Sequence, residues 1–324
     1  MGAFFQTNKI VDEVIELDKK SRKSIKYFFS KMSEKDIRYL FCMHRSFHSA
    51  WILRKVRAQK KISYKTWWSK SFFDESILRS MYLPEVLRAL VLLSPVDDNI
   101  KKRIEYFSLD KKFHNSTERS SIIRWPYSIP ADLLPTVEAE KSSVTSTLSR
   151  LQINRPYVVI APSSQWATKR WTDSGFIELI QLLSERGLNA YIIGASNEIE
   201  HCREIEKKAQ ARQLSVEVRS LAGKTDLIEL HHVLSKAEVI VANDSGPMHM
   251  ATVSGRPVVG IFGPTTIDQG YRPWSDSSIV VQTDLSCRPC GKHGHKKCPI
   301  GTHDCMKKIT AQEVAAAISP SQIY

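Results

Sequence analysis

The stretch from Glu238 to Thr265, EVIVANDSGPMHMATVSGRPVVGIFGPT, leaves a chain like this little choice of fold. Its two β-branched runs, Val239-Ile240-Val241 and Val258-Val259-Gly260-Ile261-Phe262, have the length and continuity of buried parallel strands. Between them Asn243-Asp244-Ser245-Gly246-Pro247 reads as a turn that opens a helix. Asp244 or Ser245 can cap it, Gly246 lets a ligand approach the backbone, and Pro247 suits the first turn. The helix stops near Ser254, at Gly255 and ahead of Arg256-Pro257. Strand, turn, helix and strand make the repeating unit of a parallel α/β sheet, which binds ligands at the carboxyl ends of its strands. Free N–H groups at the helix start favour an anion, most simply a phosphate. His249 lies one turn into the same helix, where a lone histidine is as readily structural as functional.

The segments DSGPMHMA and GRPVVGIFGPT together resemble the donor-site signature of glycosyltransferase family 9, the ADP-heptose:lipopolysaccharide heptosyltransferases, and most closely the heptosyltransferase II branch. The likeness runs from about Asn8 to Ile318 and is densest after Arg155. It implies an α/β fold of GT-B architecture, with two Rossmann-like domains facing across a cleft and the nucleotide sugar on the second. It also implies that Asp244, Ser245, Gly246 and His249 hold the diphosphate of ADP-heptose.

At 324 residues the chain has room for two domains, each with its own core. The net charge of +13 is unevenly placed: residues 1–150 hold 28 Lys and Arg against 17 Asp and Glu, while the remainder holds 19 against 17. The first half should therefore face something anionic, whether nucleic acid, an anionic membrane or a phosphorylated glycolipid; the plainer alternative is a solvated basic surface. No apolar run of eighteen residues and no signal-peptide pattern occurs, so a cytoplasmic protein is the default.

In chain order, Val11–Leu17 alternates as a strand would, and Ser21–Met32 has the spacing of an amphipathic helix. In the resembling family this pair comes third and fourth in the first domain, after a strand and a Gly-Asp turn that carries the general base. No such segment precedes Val11, so the first domain is expected to be incomplete. Asp36–Cys42 reads as a strand, followed by the polar loop His44-Arg45-Ser46-Phe47-His48-Ser49 and a helix over Ser49–Arg57. A polar loop after a strand can bind an acceptor, a role the resemblance supports for His44, Arg45 and Ser46, or simply cap the helix that follows; His44 and His48, placed after a strand, are substitute candidates for the missing base. Arg54–Phe73 has seven Lys and Arg and no acid, interleaved with Trp67, Trp68, Phe72 and Phe73, a pattern that suits a membrane–water interface, an anionic glycolipid or stacked single-stranded bases. Ser76–Leu93 has helical spacing and Ile104–Phe107 that of a strand. Pro126, Pro130 and Pro135 interrupt a polar stretch around Ala131–Leu134. A linker near Arg150–Arg155 divides the chain into domains 1–153 and 154–324.

In the second domain Tyr157–Ala161 is a buried strand that ends in Ser163, Ser164, Thr168 and Lys169, short hydroxyl donors with one point charge that suit a phosphate. The family's Lys-x-Trp motif matches here. Asn189–Ile193 is another strand, and Thr225 caps the helix after Leu221-Ala222-Gly223-Lys224. By resemblance Gly223 and Lys224 lie beside the nucleoside. Cys287-x2-Cys290-x7-Cys298-x6-Cys305 departs from zinc-finger spacing, and similar cysteines recur in the resembling branch without being catalytic. Reduced packing thiols are the first reading, with a structural zinc or iron–sulfur site the second. No cofactor is required by the sequence.

The resemblance implies transfer of heptose from ADP-L-glycero-D-manno-heptose to the lipopolysaccharide inner core, at the cytoplasmic face of the inner membrane. A non-catalytic homologue that binds a nucleotide sugar or glycolipid but lacks the base is the alternative. Nucleic-acid binding has only charge and the Trp-Trp segment behind it, with no recognisable motif. Oligomeric state is not encoded legibly.

Overall fold

The structure, a computed structural model, describes residues 2–109, 120–124, 129 and 137–318. They form two compact units, the first ending by residue 109 and the second starting by residue 120.

The first unit carries a parallel sheet in the order β1-β2-β3, with β1 at Tyr39–Cys42, β2 at Lys60–Tyr64 and β3 at Glu75–Ile77. Around it lie α1 (Gly2–Thr7), α2 (Arg22–Ser33), α3 (Phe47–Leu53), α4 (Glu85–Leu90) and α5 (Asp98–Leu109). α2 starts at Ser21, whose hydroxyl accepts the Ser24 N–H, and it buries Phe28 with Ile52 and Val56. Val11–Leu17 is not a strand: Ile15 and Leu17 instead pack as irregular chain against that cluster. The spacing over Ser76–Leu93 does not make one helix either, because Pro84 cannot sit inside one and α4 starts just after it. Ile104–Phe107 is helical within α5, with Ile104 and Phe107 buried three residues apart on one face.

The second unit has a seven-stranded sheet in the order β4-β10-β9-β8-β5-β6-β7. Its strands are β4 (Ile122–Arg124), β5 (Tyr157–Ala161), β6 (Asn189–Ile192), β7 (Val218–Ser220), β8 (Val239–Asn243), β9 (Val258–Phe262) and β10 (Ile279–Gln282), all parallel except the edge strand β4. Its helices are α6 (Lys141–Arg150), α7 (Asp173–Ser184), α8 (Ile199–Gln210), α9 (Leu227–Ser235), α10 (Gly246–Val253), α11 (Asp304–Lys307) and α12 (Ala311–Ala317). Successive side chains of a strand point to opposite faces, and here both faces are covered. Val158, Ile160, Val239 and Val241 enter one core, while Tyr157, Val159, Ile240 and Ala242 enter the other. That is why these strands are apolar throughout rather than alternating.

The division between units falls earlier than the 153/154 boundary. β4 pairs with β10, placing Ile123 opposite Val280, and Thr147 of α6 shares a 2.8 Å hydrogen bond with His232 of α9. Both segments therefore belong to the second unit. Pro126, Pro130, Pro135 and the stretch 131–134 lie outside the described residues.

Candidate functional site

From β5 the chain moves outward to β6 and β7, then returns to β8 on the other side of β5 and continues to β9 and β10. β5 and β8 are therefore neighbours whose following loops diverge, which opens a crevice at their carboxyl ends. A cavity of 260 Å³ occupies it. The loop after β5 contributes Ser164, Gln165, Trp166 and Lys169, the β8–α10 turn contributes Asp244, Ser245, Gly246 and His249, and Tyr271 and His293 complete the wall.

Asn243, fully buried at the end of β8, ties the two loops together. Its side-chain carbonyl accepts the Trp171 N–H at 3.0 Å, and its amide donates to the Pro162 carbonyl at 2.7 Å. Next to it Lys169 Nζ donates to Asp244 Oδ2 at 2.6 Å, and the Thr265 hydroxyl donates to the same oxygen at 2.6 Å. Asp244 is only 4% exposed, and that ammonium is the opposite charge beside it. The site thus carries its own counter-ion.

α10 opens with Ser245 at its cap position, but the Ser245 hydroxyl donates backward to the Asn243 carbonyl at 3.0 Å and no side chain caps the helix. Its first N–H groups are left for whatever enters the cavity. Beside Gly246 no atom lies within 4 Å of the place a Cβ would occupy. His249 is exposed where it lines the cavity, yet the protein packed around its ring desolvates it and holds its pKa below the usual imidazole range. Asp244 opposes that shift and Lys169 reinforces it. Trp166 and His293 lie nearly parallel, at 10°, with ring centroids 6.5 Å apart.

Six of the sequence-derived donor-site residues, Ser164, Lys169, Asp244, Ser245, Gly246 and His249, are brought together in this cavity. Four are not. The Ser163 hydroxyl lies 3.4 Å from His201 Nδ1, and His201 Nε2 is 2.8 Å from Asp173 Oδ1, a hydrogen bond that pulls the Asp173 pKa down. Thr168 is committed elsewhere: its hydroxyl donates to the His295 carbonyl at 2.7 Å and accepts the His295 N–H at 2.8 Å, fastening the cysteine loop. Gly223 adopts φ +71°, where an added Cβ would meet Ile199 Cδ1 at 2.7 Å, and exposed Lys224 follows it in the loop after β7. The cap of α9 is Asp226, in a capping box with Glu229, rather than Thr225. In the first unit His44, Arg45 and His48 are exposed around the start of α3, which Ser46 precedes at the cap position, and His44 Nδ1 lies 3.2 Å from Ser49 Oγ.

Sequence reasoning passed over Asn243 as a bridge, although a polar residue closing an apolar strand is a readable signal. Tyr271 and His293 carry no local signal, since only the tertiary fold brings them to the cavity. The four cysteines line a second cavity of 320 Å³. All are unbridged, and burial pushes the Cys305 thiol up to about 11. Among the described residues no group of three or more His, Cys, Asp or Glu is placed to hold a metal ion, and no helix is long and apolar enough to cross a membrane.

Residues 27–300 match the sequence profile of Glycosyltransferase family 9 (heptosyltransferase). Lipooligosaccharide heptosyltransferase 2 of Campylobacter jejuni is 28% identical over 230 residues, covering 68% of this chain and 69% of that one. Lipopolysaccharide heptosyltransferase 2 of Escherichia coli is 31% identical over 198 residues, covering 60% and 55%. The solved structure of E. coli ADP-heptose lipopolysaccharide heptosyltransferase II superposes with a TM-score of 0.67 at 21% identity, over 93% of this chain and 80% of that one. The chain spans about half to two thirds of the length of the curated relatives it matches.

Proposed function

The chain belongs to glycosyltransferase family 9 and has its α/β GT-B fold, and from that premise we propose that it moves a heptose from ADP-L-glycero-D-manno-heptose to the inner core of lipopolysaccharide. The observation that carries this reading is the cavity between β5 and β8, where Lys169 and the uncapped start of α10 meet in front of the open space at Gly246. A diphosphate fits that set: it is anionic, it takes backbone N–H donors, and Lys169 can divide its charge between the phosphate and Asp244.

In a direct displacement that inverts the anomeric carbon, negative charge grows on the departing ADP. Groups already aimed at that charge lower the barrier without having to reorganise. Lys169 and the α10 N–H groups supply this. The acceptor hydroxyl must also lose a proton to a base. Within the cavity the ionisable candidates are Asp244, already engaged by Lys169 and Thr265, and the imidazoles of His249 and His293. The acceptor is borne on a membrane lipid, so the chain works at the cytoplasmic surface of the inner membrane, and the net charge of +13 suits its phosphates.

Calorimetric titration with ADP-heptose, ADP and UDP, together with a transfer assay on heptose-deficient lipopolysaccharide, tests the reading. We expect ADP-heptose to bind more tightly than UDP and transfer to follow. Binding without transfer would identify a nucleotide-sugar-binding homologue instead, and no binding of ADP at millimolar concentration would remove the cavity's assignment.

A further inference from the structure

Among the described residues the exposed large apolar side chains are concentrated in the first unit, and the second adds only Ile300. Two of them sit together on α3, Phe47 at 46% exposure and Trp51 at 45%, and a third, Trp67 at 91%, is the chain neighbour of Trp68, whose ring packs against Phe47. Phe47 and Trp51 are held from beneath. Phe72 packs edge-on against both, with ring centroids 5.6 and 6.1 Å away, and the buried Trp68 lies 6.0 Å from Phe47. An aromatic patch fixed in this way presents apolar area without first having to be ordered.

Charge adjoins the patch directly. Arg54 places its guanidinium over the Trp51 ring at 3.6 Å, and with Lys61 and Lys70 it lines a cavity of 470 Å³ whose single acid is Asp74. That carboxylate already accepts the Lys61 backbone N–H at 2.7 Å. The cavity is therefore cationic, wide and rimmed by aromatic rings. A run of stacked nucleobases would need several open ring faces, but Arg54 covers one face of Trp51 and Phe47 lies alongside at 26°, which of these three rings leaves Trp67 alone open. Exposed indoles beside cations are what the boundary between lipid headgroups and acyl chains accommodates.

We propose that this face of the first unit docks on an anionic bilayer, with Phe47, Trp51 and Trp67 entering the headgroup layer and Arg54, Lys61 and Lys70 receiving a lipid phosphate. The proposal rests on the reading that the acceptor is carried by a membrane lipid. The loop His44-Arg45-Ser46, which runs straight into Phe47, then lies at the bilayer surface where such an acceptor is presented.

Co-sedimentation of the full chain with phosphatidylcholine vesicles, and with vesicles containing 30% phosphatidylglycerol, tests it. Sedimentation is expected only with the second kind and should weaken in high salt. Trp67→Ser and Lys70→Gln change exposed side chains, so the double variant should keep the native melting temperature. Each cation near an anionic surface is worth about fivefold in affinity, and the pair of changes should lower vesicle affinity at least tenfold. Equal binding to both vesicle types, undiminished binding by the double variant, or a native dimer that the variant converts to monomer would each overturn the proposal. Calorimetry with ADP-heptose separates the two readings. Intact nucleotide-sugar binding with no vesicle binding sinks the docking face alone, and the reverse pattern sinks the functional reading alone.

Discussion

Lys169 is paired with Asp244 and, in the proposed function, with the diphosphate, and the balance between the two sets what its removal does. In the empty protein it neutralises Asp244, a carboxylate only 4% exposed. In the proposed function it would also face the diphosphate. Lys169→Ala should therefore weaken ADP binding by about 1.5–3 kcal/mol, the worth of a hydrogen bond to a charged group, and AMP binding by less. It should also destabilise the fold by about 3 kcal/mol, because an uncompensated buried charge is left behind. Adding Asp244→Asn removes that charge, so the double variant should recover its melting temperature and still bind ADP poorly. Recovery of ADP binding along with stability would show that Lys169 acts only as a structural counter-ion. Calorimetry and thermal unfolding on the three proteins separate the outcomes.

At the scale of elements, α10 combines an uncapped start with open space beside Gly246. Gly246→Ala adds one methyl group where the fold has nothing to collide with, so stability should hold or rise slightly. The methyl group intrudes on the ligand instead, and ADP affinity should fall by about tenfold or more, 1.4 kcal/mol. A melting temperature lowered in parallel with affinity would mean that the glycine serves the turn. Elements such as this were legible in the sequence because both faces of the second sheet are buried. Val239–Val241 and Val258–Phe262 are apolar at every position, and the turns between strands and helices carry their own cap chemistry. The first unit was harder to read. β2 begins with Lys60-Lys61 at the surface and was hidden in a run of charge, β3 is three residues long, and α5 places Ile104 and Phe107 at a spacing too short to tell helix from strand. The cavity was legible where it is built from strand ends and illegible at Tyr271 and His293, which long loops bring from elsewhere in the chain.

At the scale of the whole molecule, the second unit claims residues that lie ahead of the expected linker. A fragment starting at Asn154 would strip β4 from the edge of β10 and α6 from α9, exposing a sheet edge and the buried side of His232. The fragment 116–324 should therefore unfold cooperatively, bind ADP like the full chain and melt well above the fragment 154–324. Equal melting temperatures would show that β4 and α6 add nothing to the fold. The ion pair between Lys169 and Asp244 has a further consequence for exchange with solvent. An empty cavity whose cation is already matched, and whose imidazole is held neutral, gains an excess of negative charge when a diphosphate enters. That excess lifts the His249 pKa from its depressed value, so in the pH range just above it the protein should draw a proton from the buffer as ADP binds, and affinity should rise as pH falls through that range. Titration heats measured in buffers of different ionisation enthalpy would reveal the proton, and in His249→Asn the difference between buffers should shrink.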